Sequence, residues 1–205
     1  MSKSINVALF GNPNTGKTSI FNALTGLSQK VGNYPGITVE KKEGISKLDR
    51  INKGYILDLP GTYSLNASSM DESVVLNLLL NKKNKDYPDV AVLIADVENL
   101  KRNLLLFTQL KDLGIPTLLV INMSDLMSQK GISLNIPLLE KKLETKIALV
   151  STRNSEGLDE LKKLIIMITT YVRTTCNSKK IHVILIRHHI DFALITYTTT
   201  TTLNF

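Results

Sequence analysis

Residues 5–10, Ile-Asn-Val-Ala-Leu-Phe, run directly into Gly11-Asn12-Pro13-Asn14-Thr15-Gly16-Lys17-Thr18, and this junction limits the architecture more than any other feature of the chain. The eight residues fit G-x-x-x-x-G-K-[ST], which works as a phosphate cradle only between a buried strand and a helix. Its glycines let backbone N–H groups curl around phosphates, and the helix that follows adds the positive end of its dipole. Lys17 then reaches the outer phosphates, Thr18 offers a hydroxyl to Mg²⁺, and Ser19 extends the same helical turn. A chain built this way is committed to an open α/β sheet with its ligand at the carboxyl ends of the strands.

The rest of the sequence agrees. Apolar runs at 90–95, 117–121 and 146–150 have the length of central strands covered on both faces, and helical patterns lie between them. Segments 39–48 and 54–57 read as an adjacent strand pair joined by a polar turn. Leu106, Leu110 and Leu113 repeat at helical spacing before Gly114-Ile115-Pro116, a usual stop, and Leu158, Leu161, Ile165 and Ile168 give the last helix an apolar stripe. The pattern predicts a six-stranded, mostly parallel sheet with helices on both faces, occupying residues 1–170.

Beyond Tyr171 the character changes. The tail, 171–205, holds all three histidines (His182, His188, His189), the only cysteine (Cys176) and a threonine run at 198–202. It is expected to be a truncated, frameshifted or otherwise irregular end rather than a second domain. A lone cysteine excludes an internal disulfide, and the histidines lack carboxylate or thiol partners at ligand spacing. The net charge is +7, of which the tail contributes +3, and no aromatic-rich basic face suggests nucleic acid. No apolar run approaches the about 20 residues that span a bilayer, and the start lacks a signal-peptide pattern. A cytosolic setting is the expectation.

Two further motifs fall in the order a nucleotide site demands. Asp58-Leu59-Pro60-Gly61 follows the 54–57 strand, so Asp58 can hold Mg²⁺ and the Gly61 N–H can meet a γ-phosphate. Asn122-Met123-Ser124-Asp125 fits N-x-x-D: the Asp125 carboxylate can accept from both N1–H and the exocyclic amine of guanine, a pattern adenine cannot supply. Ser151-Thr152-Arg153 occupies the loop that closes on the base. Thr38, between the first helix and the next strand, is placed to close on Mg²⁺ and the γ-phosphate. The predicted ligands are therefore GTP or GDP with Mg²⁺, and the predicted class is a Ras-like P-loop GTPase.

The stretch 31–44, Val-Gly-Asn-Tyr-Pro-Gly-Ile-Thr-Val-Glu-Lys-Lys-Glu-Gly, with Asp58-Leu59-Pro60-Gly61-Thr62-Tyr63-Ser64-Leu65 and Asn99-Leu100-Lys101-Arg102-Asn103-Leu104, resembles the FeoB family of ferrous-iron transporters over about residues 4–170. The resemblance implies an amino-terminal G domain on the cytoplasmic face of a bacterial inner membrane, regulating or driving Fe²⁺ uptake by a membrane-embedded region. It further implies that Asn14 helps to hold K⁺ beside the phosphates, with switch I backbone at Gly36 and Ile37 completing the cage, and that copies of the chain self-associate through the switches. No glutamine follows Gly61, so Thr38 and backbone groups are expected to position the water and unassisted turnover to be slow. Two other readings share these loops: an RNA-linked ribosome-assembly GTPase, against which stands the lack of an RNA-binding appendage, and a guanine-nucleotide module that does not hydrolyse.

Overall fold

The computed structural model of the chain describes residues 4–26, 28–66, 69–176 and 195–197. The first strand, β1 (Ser4–Gly11), ends at the glycine loop and leads into α1 (Lys17–Thr25); β2 (Gln29–Asn33), β3 (Glu40–Lys47), β4 (Lys53–Asp58) and α2 (Met70–Leu80) follow. Then come β5 (Val90–Asp96), α3 (Leu100–Asp112), β6 (Thr117–Asn122), the single-turn α4 (Leu126–Gln129), β7 (Ile132–Leu134), α5 (Ile136–Leu143), β8 (Ile147–Leu149), α6 (Leu158–Cys176) and β9 (Ile195–Tyr197).

The main sheet runs β2-β3-β4-β1-β5-β6-β8, with β4, β1, β5, β6 and β8 parallel and β3 antiparallel to β4. It has seven strands where the apolar runs predict six. The extra one, β2, pairs antiparallel with β3 from Gln29↔Gly44 to Asn33↔Glu40, and four of its five residues are exposed. A strand held by ladder hydrogen bonds rather than by burial leaves no hydrophobic alternation to find. A second, two-stranded sheet joins β7 to β9, so the described parts of the tail are the end of α6, to Cys176, and this strand; the three histidines and the threonine run lie outside the described residues.

Alternation on β1 shows how the core divides. Ile5, Val7 and Leu9 point to one face, beneath Ile20, Phe21 and Leu24 of α1 and Leu161 and Ile165 of α6. Ala8 and Phe10 point to the other, beneath Val75 and Leu78 of α2 and Leu106, Phe107 and Leu110 of α3. Central β5 is buried at all seven positions, as its uninterrupted apolar sequence requires. Of the stripe predicted for α3, Leu106 and Leu110 are buried, but Leu113 is its C-cap and partly exposed, followed by Gly114 at φ 70. The last helix continues through residue 170 to Cys176. Among the described residues no helix is long and apolar enough to cross a membrane, and no group of three or more His, Cys, Asp or Glu side chains could hold a metal.

Candidate functional site

The carboxyl ends of β1, β4, β5, β6 and β8 carry the predicted motifs to one rim of the sheet. At its centre the 11–16 loop turns between β1 and α1. Asn14 adopts φ 68, a left-handed conformation that asparagine tolerates better than other side-chain-bearing residues, and Gly16 adopts φ 81. Neither loop glycine has room for a side chain: a Cβ on Gly11 would sit 2.6 Å from the Ile94 carbonyl oxygen, and one on Gly16 would sit 2.2 Å from Asn122 Nδ2. Both the backbone N–H and the hydroxyl of Thr15 donate to the Asn12 carbonyl, at 3.4 and 3.0 Å. The first turn of α1 contains no acidic residue and no side-chain cap, so its N–H groups and dipole remain available to an anion.

Lys17, Thr18 and Asp58 meet beside this loop. The Lys17 ammonium pairs with Asp58 Oδ1, and the Thr18 hydroxyl donates to Oδ2 at 2.9 Å. Asp58 is buried at the end of β4. Gly61 packs on Pro13, where a Cβ would lie 3.2 Å from the proline ring, and the next residue, Thr62, donates its N–H to the Gly11 carbonyl at 3.1 Å. The start of switch II is thus seated on the phosphate loop.

The Asn122–Asp125 loop is tied to the 11–18 loop. Asn122 Nδ2 donates to the Thr15 carbonyl at 3.0 Å, while its Oδ1 is buried without a protein partner. Met123, at φ 60, turns the chain so that Asp125 follows at the head of α4. Asp125 Oδ1 accepts from the Ser151 hydroxyl at 2.7 Å, and Oδ2 lies 3.6 Å from an exposed Arg153 nitrogen. Ser151 is locked by reciprocal backbone bonds with Glu156, at 3.2 and 3.0 Å; Thr152 is half-buried beside it. A carboxylate oriented by a hydroxyl and facing an exposed arginine is a ready acceptor for a base edge that carries two donors.

Switch I stands apart. Thr38 is exposed and makes no hydrogen bond to Lys17, Thr18 or Asp58; Gly36, at φ 79, is exposed and Ile37 half-buried in a turn closed by Ile37 N–H to the Tyr34 carbonyl at 3.2 Å. Tyr34 of this segment is half-buried, and Val39 next to Thr38 is buried. The Tyr34 ring packs on the core below α2, and its hydroxyl is buried without a partner. Burial pushes its pKa up, and the carboxylates of Asp86, Asp58 and Glu43 add to the rise. Lys41 stands 6.0 Å from the Tyr34 ring centre and pairs at 2.8 Å with both Glu43 and Asp86. Burial alone would lower the Lys41 pKa, but these two carboxylates raise it. The Lys41–Asp86 pair, 45 positions apart, has no local sequence signal.

A cavity of about 360 Å³ lies between the phosphate loop and the start of α3, lined by Asn12, Asn14, Tyr63, Asp96, Asn99 and Arg102 among others. Asn12 is almost fully buried there, with neither amide atom paired within the protein. A second cavity, about 530 Å³, lies over β1, β3 and β4; it touches Glu43 and Gly44 at the end of the switch I stretch and no residue of the 11–18, 58–61 or 122–125 motifs.

A sequence model described as ferrous iron transport protein B matches residues 5–165. The chain belongs to the FeoB family. The Fe(2+) transporter FeoB of Leptospira biflexa is 43% identical over 163 residues, covering 80% of this chain and 23% of that protein; its counterpart in Staphylococcus aureus strain COL is 45% identical over 78% and 24%. The chain therefore spans about a quarter of the length of these FeoB relatives. Among solved structures, it resembles the G domain of the T. maritima FeoB iron transporter with a TM-score of 0.72 and 39% identity, over 81% of this chain and 99% of that one. The cytosolic domain of the same transporter in a GDP form gives a TM-score of 0.77 at 34% identity, over 87% and 77%. The FeoB match takes in the phosphate loop, both switch segments and the base-reading loops, which confirms the resemblance carried by the switch sequences and the α/β P-loop fold class.

Proposed function

We propose that this FeoB G domain binds guanine nucleotides with Mg²⁺ and hydrolyses GTP to GDP and phosphate, and that within a longer protein at the cytoplasmic face of a bacterial inner membrane it regulates or drives Fe²⁺ uptake through a membrane-embedded region. The observation that carries this reading is the Asn122–Thr15 bond, which couples a phosphate cradle to a carboxylate suited to guanine in one rigid rim. The GDP form of the T. maritima relative supports it, and the link to iron rests on family membership.

The groups present suit Mg²⁺. A threonine hydroxyl and a carboxylate 2.9 Å apart form the hard-oxygen pair that this ion would take, and Lys17, which pairs with the same carboxylate, would supply an ammonium to phosphate oxygens beside it. Asn14, exposed at the crest of the loop, presents an amide carbonyl suitable for K⁺, with Gly36 and Ile37 backbone joining when switch I closes. Bound there, either cation supplies positive charge against the charge that develops on the transferring phosphoryl group. In the reaction a water oxygen bonds to the γ-phosphorus as the bond to the bridging oxygen breaks. Thr38 and the Gly61 N–H orient the water and the phosphoryl group, and Lys17 steadies the leaving diphosphate. Without a glutamine after Gly61, unassisted turnover is slow.

Calorimetry with Mg²⁺ tests the binding step: GDP should bind about 10³-fold or more tightly than ADP, because adenine leaves the Asp125 carboxylate without donors. Equal uptake of the two, or none, overturns the proposal. Phosphate release should be faster in K⁺ than in Na⁺, and Asn14→Ala should abolish that difference; an intact K⁺ increment in the variant removes Asn14 from the cation site.

A further inference from the structure

The Asn99-to-Leu104 stretch resembles the family yet has no part in the phosphate or base contacts, and its place in the fold gives it a task. Asp96, at the end of β5, receives the backbone N–H and side-chain amide of Asn99 on Oδ1 at 2.7 and 3.0 Å, while the Asn103 side-chain carbonyl accepts the Asp96 N–H at 2.8 Å. With Leu100, Leu104, Leu106, Phe107 and Leu110 buried, α3 is a fixed platform beside the phosphate loop.

Switch II, by contrast, has no helix or strand between Gly61 and Asn66, so its course depends on what touches it. Thr62 is held on the Gly11 carbonyl, and Leu65 packs on the core. Two further attachments come from α3. The Arg102 guanidinium lies over the Tyr63 ring, 4.2 Å from its centre, and Gln109 Oε1 accepts the Leu65 N–H at 2.8 Å. Arg102 and Gln109 are seven residues apart, two helical turns, and so share one face of α3. A guanidinium over a phenol face is attractive, and a side-chain amide is an obligate partner for a backbone N–H that no strand pairs.

We infer that Arg102 and Gln109 are positioning residues that clamp switch II along α3, so that Gly61 stands against Pro13 in the place where its N–H meets a γ-phosphate. This rests on the nucleotide-binding reading above. Because GDP lacks the γ-phosphate, the clamp acts on triphosphate affinity and leaves diphosphate affinity alone.

The test is the ratio of dissociation constants for a non-hydrolysable GTP analogue and for GDP. Arg102→Ala and Tyr63→Ser should each raise that ratio about two- to fivefold, the worth of a partly exposed cation–π contact, with GDP affinity unchanged. Tyr63→Phe keeps the ring and should keep the wild-type ratio. The double variant Arg102→Ala, Tyr63→Ser should match either single one, since both remove the same contact. A wild-type ratio in both single variants, an equal loss of GDP affinity, or effects that sum in the double variant would each overturn the clamp. Amide hydrogen exchange on the protein without nucleotide is the second measurement. Gln109→Leu should speed exchange at Leu65 and Tyr63→Phe should not; unchanged protection at Leu65 in Gln109→Leu also overturns it. If the wild-type chain binds neither nucleotide while its Leu65 exchange responds as expected, the proposed function fails and the clamp stands.

Discussion

The base-reading rim and switch I are built to opposite designs. Around Asp125 every part is braced: Asn122 to Thr15, Ser151 to Asp125, Ser151 to Glu156, with Asn122 and Ser151 fully buried. Around Thr38 the chain is an exposed turn at the end of an edge hairpin, secured by Tyr34 and Lys41 and not by the phosphate loop. A site proposed to read guanine in every nucleotide state gains from being formed before the ligand arrives, since ordering it on binding would cost affinity. A segment proposed to report one phosphate is better left outside that braced rim, as this exposed turn is.

The comparison breaks most visibly at Asp125. Asp125→Ala removes the proposed acceptor for both guanine donors and also removes the carboxylate to which the Ser151 hydroxyl donates, leaving that oxygen only the Asn154 N–H. GDP affinity should fall by about 10³- to 10⁴-fold in calorimetry while the far-ultraviolet spectrum is kept. A loss below tenfold would mean that the braced rim does not read the base.

Thr38 should behave in the contrary way. Since the exposed threonine makes no hydrogen bond to Lys17, Thr18 or Asp58, Thr38→Ala should leave GDP affinity unchanged and slow single-turnover hydrolysis by about 10²-fold, the usual effect of removing one group that acts on the reacting centre. A matching loss of GDP affinity would show that switch I is part of the ground-state site, and the contrast drawn between the two regions would fall.

What could be read from the chain divides along the same line. The 11–18 loop, Asp58, Gly61 and the Asn122–Asp125 element stand at the strand ends where their motifs place them, because each motif is a few consecutive residues tied to one strand. The buried strands were legible for a similar reason: β5 and β6 are apolar at nearly every position. The contacts that set the switches are long-range in sequence and ordinary in composition. Lys41 with Asp86, and Leu65 with Gln109, are 45 and 44 positions apart, and a lysine or glutamine on a polar surface signals nothing by itself. Strand β2, Gln-Lys-Val-Gly-Asn, has no apolar face because it buries none. The Lys17–Asp58 pair is hidden differently: the motifs of both residues point to phosphate and Mg²⁺, and neither motif contains the partner that neutralises its charge.

The smallest expected effect concerns what holds switch I down. The Tyr34 hydroxyl is buried without a partner, so Tyr34→Phe removes an unsatisfied polar atom while keeping the ring's packing; neutral-pH stability should change by less than about 1 kcal/mol, in either direction. At alkaline pH the two proteins should diverge. The Tyr34 pKa is raised in the fold by burial first and by Asp86, Asp58 and Glu43 after it, so the unfolded chain gives up that proton sooner. Stability is then fully present below the unfolded tyrosine value, about pH 10, and declines as pH rises beyond it. Lys41 has the same sign, since Asp86 and Glu43 hold its proton more tightly in the fold, and it contributes in both proteins. Urea melts at neutral pH and at about pH 11 should therefore show a shallower alkaline loss for Tyr34→Phe than for the wild type. Equal losses would mean that the phenol is not seated among these carboxylates, and the hairpin would need another anchor.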